Sequence, residues 1–190
     1  MRRSARGFSL FEVLISLALL ALMSAVVIPA LMGRVRNAQT SALGQTLFSM
    51  SLAIFEYRKA VTVYPPALVH LATKPLSTVT DACGVTQIGA TNANNWRGPY
   101  VTRELVSGGV GIGDAVIQDA LRRVAGPPTI LFMDVGGVDT LSAVDLERQY
   151  DATVNPATGT IRYTTAAVGG LPIASAKTVN LSYGLPITGC

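Results

Sequence analysis

Residues 7–32 decide most of what this chain can become, because the 25 positions after Gly7 carry one formal charge, Glu12. As a helix they rise roughly 37 Å at about 1.5 Å per residue, enough to cross a hydrocarbon layer of about 30 Å with some tilt. A carboxylate inside a spanning helix costs on the order of 2.5–3.5 kcal/mol on insertion scales, so Glu12 requires a partner. Arg2, Arg3 and Arg6 do not stand one turn away on a clearly favourable face, although Arg6 can reach from the membrane surface. Cleavage between Gly7 and Phe8 would supply the partner. The new α-amino group of Phe8 would lie one turn from Glu12 and, with an ordinary pKa of about 8, would be mostly cationic.

The string Gly7-Phe8-Ser9-Leu10-Phe11-Glu12, the short basic leader before it, and Pro29 at the twenty-second position counted from Phe8 resemble type IV prepilins and the pseudopilins of type II secretion. The resemblance covers the first third of the chain. It implies a membrane aspartyl peptidase that cuts after Gly7 and methylates the amine of Phe8. It further implies that Glu12 pairs with that amine, in the same chain or on a neighbouring subunit as a filament grows. The implied partners are the prepilin peptidase, other pilin or pseudopilin subunits and the inner-membrane assembly platform. An ordinary secretory signal cleaved near Ala25, or an uncleaved anchor, is the competing reading. Glu12 and the apolar residues Val26, Val27, Ile28, Ala30 and Leu31 beyond that cut argue against it.

The formal charge of +4 invites a nucleic-acid reading, but the leader holds three of the arginines and no acid. What remains is nearly neutral and has no dense basic stripe with interleaved aromatics, so nucleic acid is disfavoured as a partner. The leader arginines hold the amino terminus in the cytoplasm, which makes the chain a single-pass inner-membrane protein with everything after Met32 outside. That compartment is oxidising. Cys83 and Cys190 are therefore expected to pair rather than to remain free thiols, closing a loop of about a hundred residues at a gain of a few kcal/mol.

The chain divides into a leader (1–7), a membrane or filament-core helix (8–32), an amphipathic second half of the same helix (33–61) and an exported domain (62–190). Pro29 lacks an N–H and is expected to kink or open the helix locally. Val35, Ala38, Ala42 or Leu43, Leu47, Met50, Ile54 and Tyr57 recur every three to four residues, a stripe that the following domain is expected to cover. Tyr64-Pro65-Pro66 ends the helix. A short helical turn is expected at 67–71, then a loop over 74–95. The segment Trp96-Arg97-Gly98-Pro99-Tyr100 resembles the Trp-x-Gly-Pro-Tyr segment of major pseudopilins, which packs the loop after the long helix. Further on, the pattern predicts a helix at 114–123, a strand at 129–135, a turn at Gly136-Gly137 and a helix at 142–150. A hairpin is expected to join 151–154 to 160–165 across Asn155-Pro156-Ala157-Thr158-Gly159, with a last strand at 178–183. The fold class is α+β and pilin-like: one long amino-terminal helix packed on a small antiparallel sheet.

No nucleophile, base and acid stand at a catalytic spacing, so an enzyme is not expected. His70 has no Cys or His companion at metal spacing and reads as a packing or surface residue. Gly108, Gly109, Gly111 and Gly113 lack the Gly-Lys-Ser/Thr ending of a phosphate loop. Asp134, Asp139, Asp145 and Asp151 are the densest carboxylates; helix caps and solvated loops are the preferred roles, with calcium the alternative. No cofactor is expected. The expected function is that of a structural subunit of a type IV pilus or type II secretion pseudopilus. A membrane-anchored exported domain binding DNA or a surface ligand is the alternative.

Overall fold

A computed structural model of the 190-residue chain describes residues 9–84, 87–103, 105, 108–164 and 179–190, and at 29 and 30 the backbone alone. The chain forms two compact units, Met1–Ala38 and Gln39–Cys190. Helix α1 (Leu10–Val61) is 52 residues long and is helical through Pro29. It ends where Thr62 takes a left-handed φ of 70° and returns its N–H to the Arg58 carbonyl at 2.7 Å, a terminating geometry more often supplied by glycine. Pro65 and Pro66 then keep the chain out of helix.

Five antiparallel strands follow: β1 (Val110–Ile112), β2 (Ala115–Val124), β3 (Thr129–Val138), β4 (Ile161–Tyr163) and β5 (Val179–Ile187), in the spatial order β1-β2-β3-β5-β4. Two short α-helices, α2 (Gly89–Asn94) and α3 (Thr140–Tyr150), accompany them, with one 3-10 turn, Leu68–Leu71, where the sequence pattern predicts a short helical turn. The architecture is α+β and pilin-like. One face of the sheet is apolar because the strands alternate: Leu131, Met133 and Val135 of β3 and Leu181, Tyr183 and Leu185 of β5 all enter one core. α1 supplies the other wall with Leu43, Leu47, Met50, Ile54, Tyr57 and Val61. Each such side chain taken out of water contributes about 1.5–3 kcal/mol.

The loop after α1 is pinned to this core. Trp96 Nε1 donates to the His70 carbonyl at 3.0 Å and the Tyr100 N–H to the Leu71 carbonyl at 2.8 Å. The Tyr100 ring meets those of Trp96 and Tyr57 edge-on, with centroids 5.9 and 5.8 Å apart.

Several elements differ from the sequence pattern. The helix expected at 114–123 is strand β2, with Ala115 and Ile117 buried and Val116 and Gln118 exposed. Asp114 does not cap a helix; with Gly113 it forms the turn between β1 and β2, where Ile112 pairs with Ala115. The glycines at 136 and 137 make no chain reversal and lie inside β3. The β3–β5 register shifts between Val135 and Val138, and Gly137 has φ 78° with its α-carbon so close to the β1–β2 turn that a Cβ would sit 2.2 Å from the Asp114 carbonyl oxygen. Residues 151–154 form no strand. The Asp151 carboxylate instead accepts from the Thr160 and Ile161 N–H groups at 2.8 and 2.9 Å, using donors that a hairpin partner would need, and β4 pairs with β5. The loop expected over 74–95 contains α2. The last strand runs on through Pro186 to Ile187.

Candidate functional site

Gly7 and Phe8 lie outside the described residues. Glu12 sits in the first turn of α1, where a negative charge is favoured by the positive end of the helix dipole. Its N–H donates to the Ser9 carbonyl at 3.0 Å. Around and beyond it the surface is apolar: the large hydrophobic side chains from Leu10 to Met32 are 45–80 % exposed. The hydroxyls of Ser16 and Ser24 donate to the Glu12 and Leu20 carbonyls, one turn back, at 2.8 Å each. Both polar groups are thus satisfied inside the helix, as an apolar medium demands. The helix is long and apolar enough to cross a membrane.

Within Gln39–Cys190 the same helix carries apolar side chains on two faces. Leu47, Ile54 and Tyr57 are fully buried in the core, while Phe48, Leu52 and Phe55, spaced one turn apart, are 51, 51 and 43 % exposed. A helix facing only water would carry polar residues there. The expected cover is present from Leu43 to Tyr57, whereas Val35 and Ala38 of the same expected stripe are exposed; the second stripe has no separate signal, because one continuous helical periodicity absorbs both.

Cys83 and Cys190 are joined in a disulfide, with Cα atoms 5.4 Å apart across 107 residues of sequence. The tail before Cys190 is held by Arg58 Nη2, which donates to the Thr188 carbonyl at 2.7 Å. The four dense carboxylates are dispersed. Asp139 caps α3 by accepting from the Ser142 N–H at 2.9 Å, Asp145 lies 3.7 Å from Arg148, Asp151 closes the loop before β4, and Asp134 receives Arg122 through two nitrogens at 2.8 Å each. The Arg122 hydrogen bond, helped by Ser182, holds the Asp134 carboxyl below the usual carboxylate range against the opposing effect of burial. His70 is half-buried, and burial pushes its imidazole below the ordinary histidine range although the charge of Asp119 opposes this.

One ionisable residue has no counterpart in the sequence reading. Glu147 of α3 is fully buried; its Oε2 accepts from the Tyr163 hydroxyl at 2.8 Å and its Oε1 from the Asn155 N–H. Burial, then the bond to Glu147, pushes the Tyr163 hydroxyl up to about 12.

Residues 2–28 match the family model of the prokaryotic N-terminal methylation motif. The chain carries a type IV prepilin-type cleavage and methylation signal. No curated protein and no solved structure matches the chain. The prepilin-type signal ends within α1, so it speaks for the amino terminus, and the pilin-like architecture of the rest is an independent observation from the fold. Together the prepilin-type signal and the exposed apolar helix point to a membrane-anchored structural subunit of pilin or pseudopilin type, handled by prepilin peptidase.

Proposed function

We propose that the protein is a filament subunit, cut between Gly7 and Phe8 by prepilin peptidase, methylated on the Phe8 amine and assembled into a type IV pilus or a type II secretion pseudopilus. The observation that carries this reading is the prepilin-type signal set on a helix whose apolar side chains stay exposed from Leu10 to Met32 and recur at Phe48, Leu52 and Phe55. Before assembly residues 8–32 span the inner membrane and residues 62–190 lie in the periplasm. During assembly the apolar surface passes from lipid to neighbouring helices, residues 33–61 extend that contact, and Glu12 meets a Phe8 amine, its own or a neighbour's, as each subunit docks on the assembly platform. Pro29 offers a point at which the helix can open to fit its neighbours. The role requires no bound cofactor.

The test is the intact mass and amino-terminal sequence of the protein taken from membranes of its own host, followed by isolation of sheared filaments. A chain beginning at methylated Phe8 and present in the filaments is expected. A chain beginning near Val26, or still at Met1, overturns the reading in favour of an exported or anchored domain. In the processed protein, Leu52→Ser should leave thermal stability within about 0.5 kcal/mol of wild type, since the side chain is exposed, while reducing incorporation into filaments.

A further inference from the structure

The sheet face opposite the core bears a groove of about 810 Å³ that runs from β2 across β3 and β5 to β4. Beneath its floor lies Phe132, which is 1 % exposed yet belongs to the outer face, one residue out of phase with the core residues Leu131 and Met133. Its ring has room because Gly184 is its partner on β5; a Cβ there would sit 2.8 Å from the ring. Two guanidinium groups cover it, Arg122 from β2 and Arg162 from β4, with their central carbons 4.8 and 4.9 Å from the ring centroid.

These two cations are not equivalent. Arg122 is neutralised by the two-pronged contact with Asp134, whose Oδ1 also accepts from the Ser182 hydroxyl at 2.6 Å. Arg162 uses Nε to reach the Gly159 carbonyl at 3.2 Å, and among the described residues no carboxylate pairs with it. The groove therefore holds one compensated and one uncompensated arginine, a net positive site beside the exposed side chains of Gln118 and Asn180. A single planar guanidinium matches a carboxylate in two-pronged fashion. A nucleic acid backbone would call for several such cations. Among the described residues the rings at the groove are Phe132, capped by the two arginines, and Tyr163, which is buried with its hydroxyl on Glu147, and neither offers a stacking platform to a sugar. We infer that this groove seats a side-chain carboxylate of an extended acidic peptide segment of a partner protein, held by the terminal nitrogens of Arg162. The proposal is independent of filament assembly.

The test uses the full chain in detergent micelles and fluorescein-labelled hexaglutamate, followed by anisotropy. Saturable binding is expected at low salt, weakened at least about tenfold by Arg162→Gln and less by Arg162→Lys, which keeps the charge. Arg148→Gln, at a salt-bridged surface arginine on α3, should leave binding within about twofold. Asp134→Asn should tighten binding, because it releases the charge of Arg122; a purely structural role of the cluster would not produce that gain. Absence of saturable binding overturns the proposal, as does equal binding by Arg162→Gln with an unchanged melting temperature. Tighter binding of oligogalacturonate than of hexaglutamate overturns the assignment to a peptide.

Discussion

Tyr163 Oη donates to Glu147 Oε2 at 2.8 Å with the carboxylate fully buried, tying the edge strand β4 to α3. The second oxygen of Glu147 holds the Asn155 N–H, so one side chain ties both the middle of the segment between α3 and β4 and the last residue of β4 to the helix. Glu147→Ala leaves both donors without an acceptor and should cost about 3 kcal/mol; Tyr163→Phe should cost about 1–2 kcal/mol. Chemical unfolding of the double variant should show a smaller loss than the sum of the singles, by about 1 kcal/mol or more. Simple additivity would show that the contact is not formed.

Processing and assembly separate at two positions in the amino terminus. Gly7 replaced by a bulky residue should accumulate uncut precursor, visible as a heavier band in membranes. Glu12→Ala should be cut and methylated normally yet enter filaments poorly, because its pairing with the Phe8 amine is lost. Normal cutting of the Gly7 variant, or full incorporation of the Glu12 variant, would show the assigned roles to be wrong.

Cys190→Ser opens a covalent loop spanning 107 residues of sequence. The loss should be about 2–4 kcal/mol in thermal or denaturant unfolding, and the reduced wild type should match it. The contacts of Thr188 with Arg58 and Tyr64 persist in the variant, so proteolysis should remain confined to the last few residues.

His70 gives the stability a pH dependence near neutrality. Burial lowers its folded-state pKa below the unfolded value, which is about 6.5, so the unfolded chain takes up the proton first on acidification. The stabilisation from the neutral ring is present above that pH and lost as the pH falls through the folded-state value. The melting temperature should therefore fall between about pH 7 and 5.5, where carboxylates still contribute little, and should fall less in His70→Asn. An identical slope in the variant would place the effect elsewhere.

Much of the architecture is legible because its cause is local. α1 and its buried stripe follow from an unbroken apolar periodicity, and the stop after Val61 from Pro65 and Pro66. β2 misleads for a physical reason. Between the pairs Ile117–Val135 and Leu121–Met133 it advances four residues while β3 advances two, and this irregularity spaces Ile117, Leu121 and Val124 like one face of a helix. Parity along a strand is readable only where the ladder is regular. Glu147 is equally hidden, since a glutamate on a short helix normally faces water and its acceptor role depends on Asn155 arriving from a later loop and Tyr163 from strand β4. The Arg122–Phe132–Arg162 cluster requires four strands in register, because β5 lies between β3 and β4, and it has no signature within any one of them.

The core side chains of α1 lie along the helix rather than across it, from Leu43 to Val61, a span of about 27 Å at 1.5 Å per residue. A tensile load applied along that axis reaches the domain as shear. Leu43, Leu47, Met50, Ile54, Tyr57 and Val61 then share the force in parallel, and the sheet cannot be peeled from the helix one contact at a time.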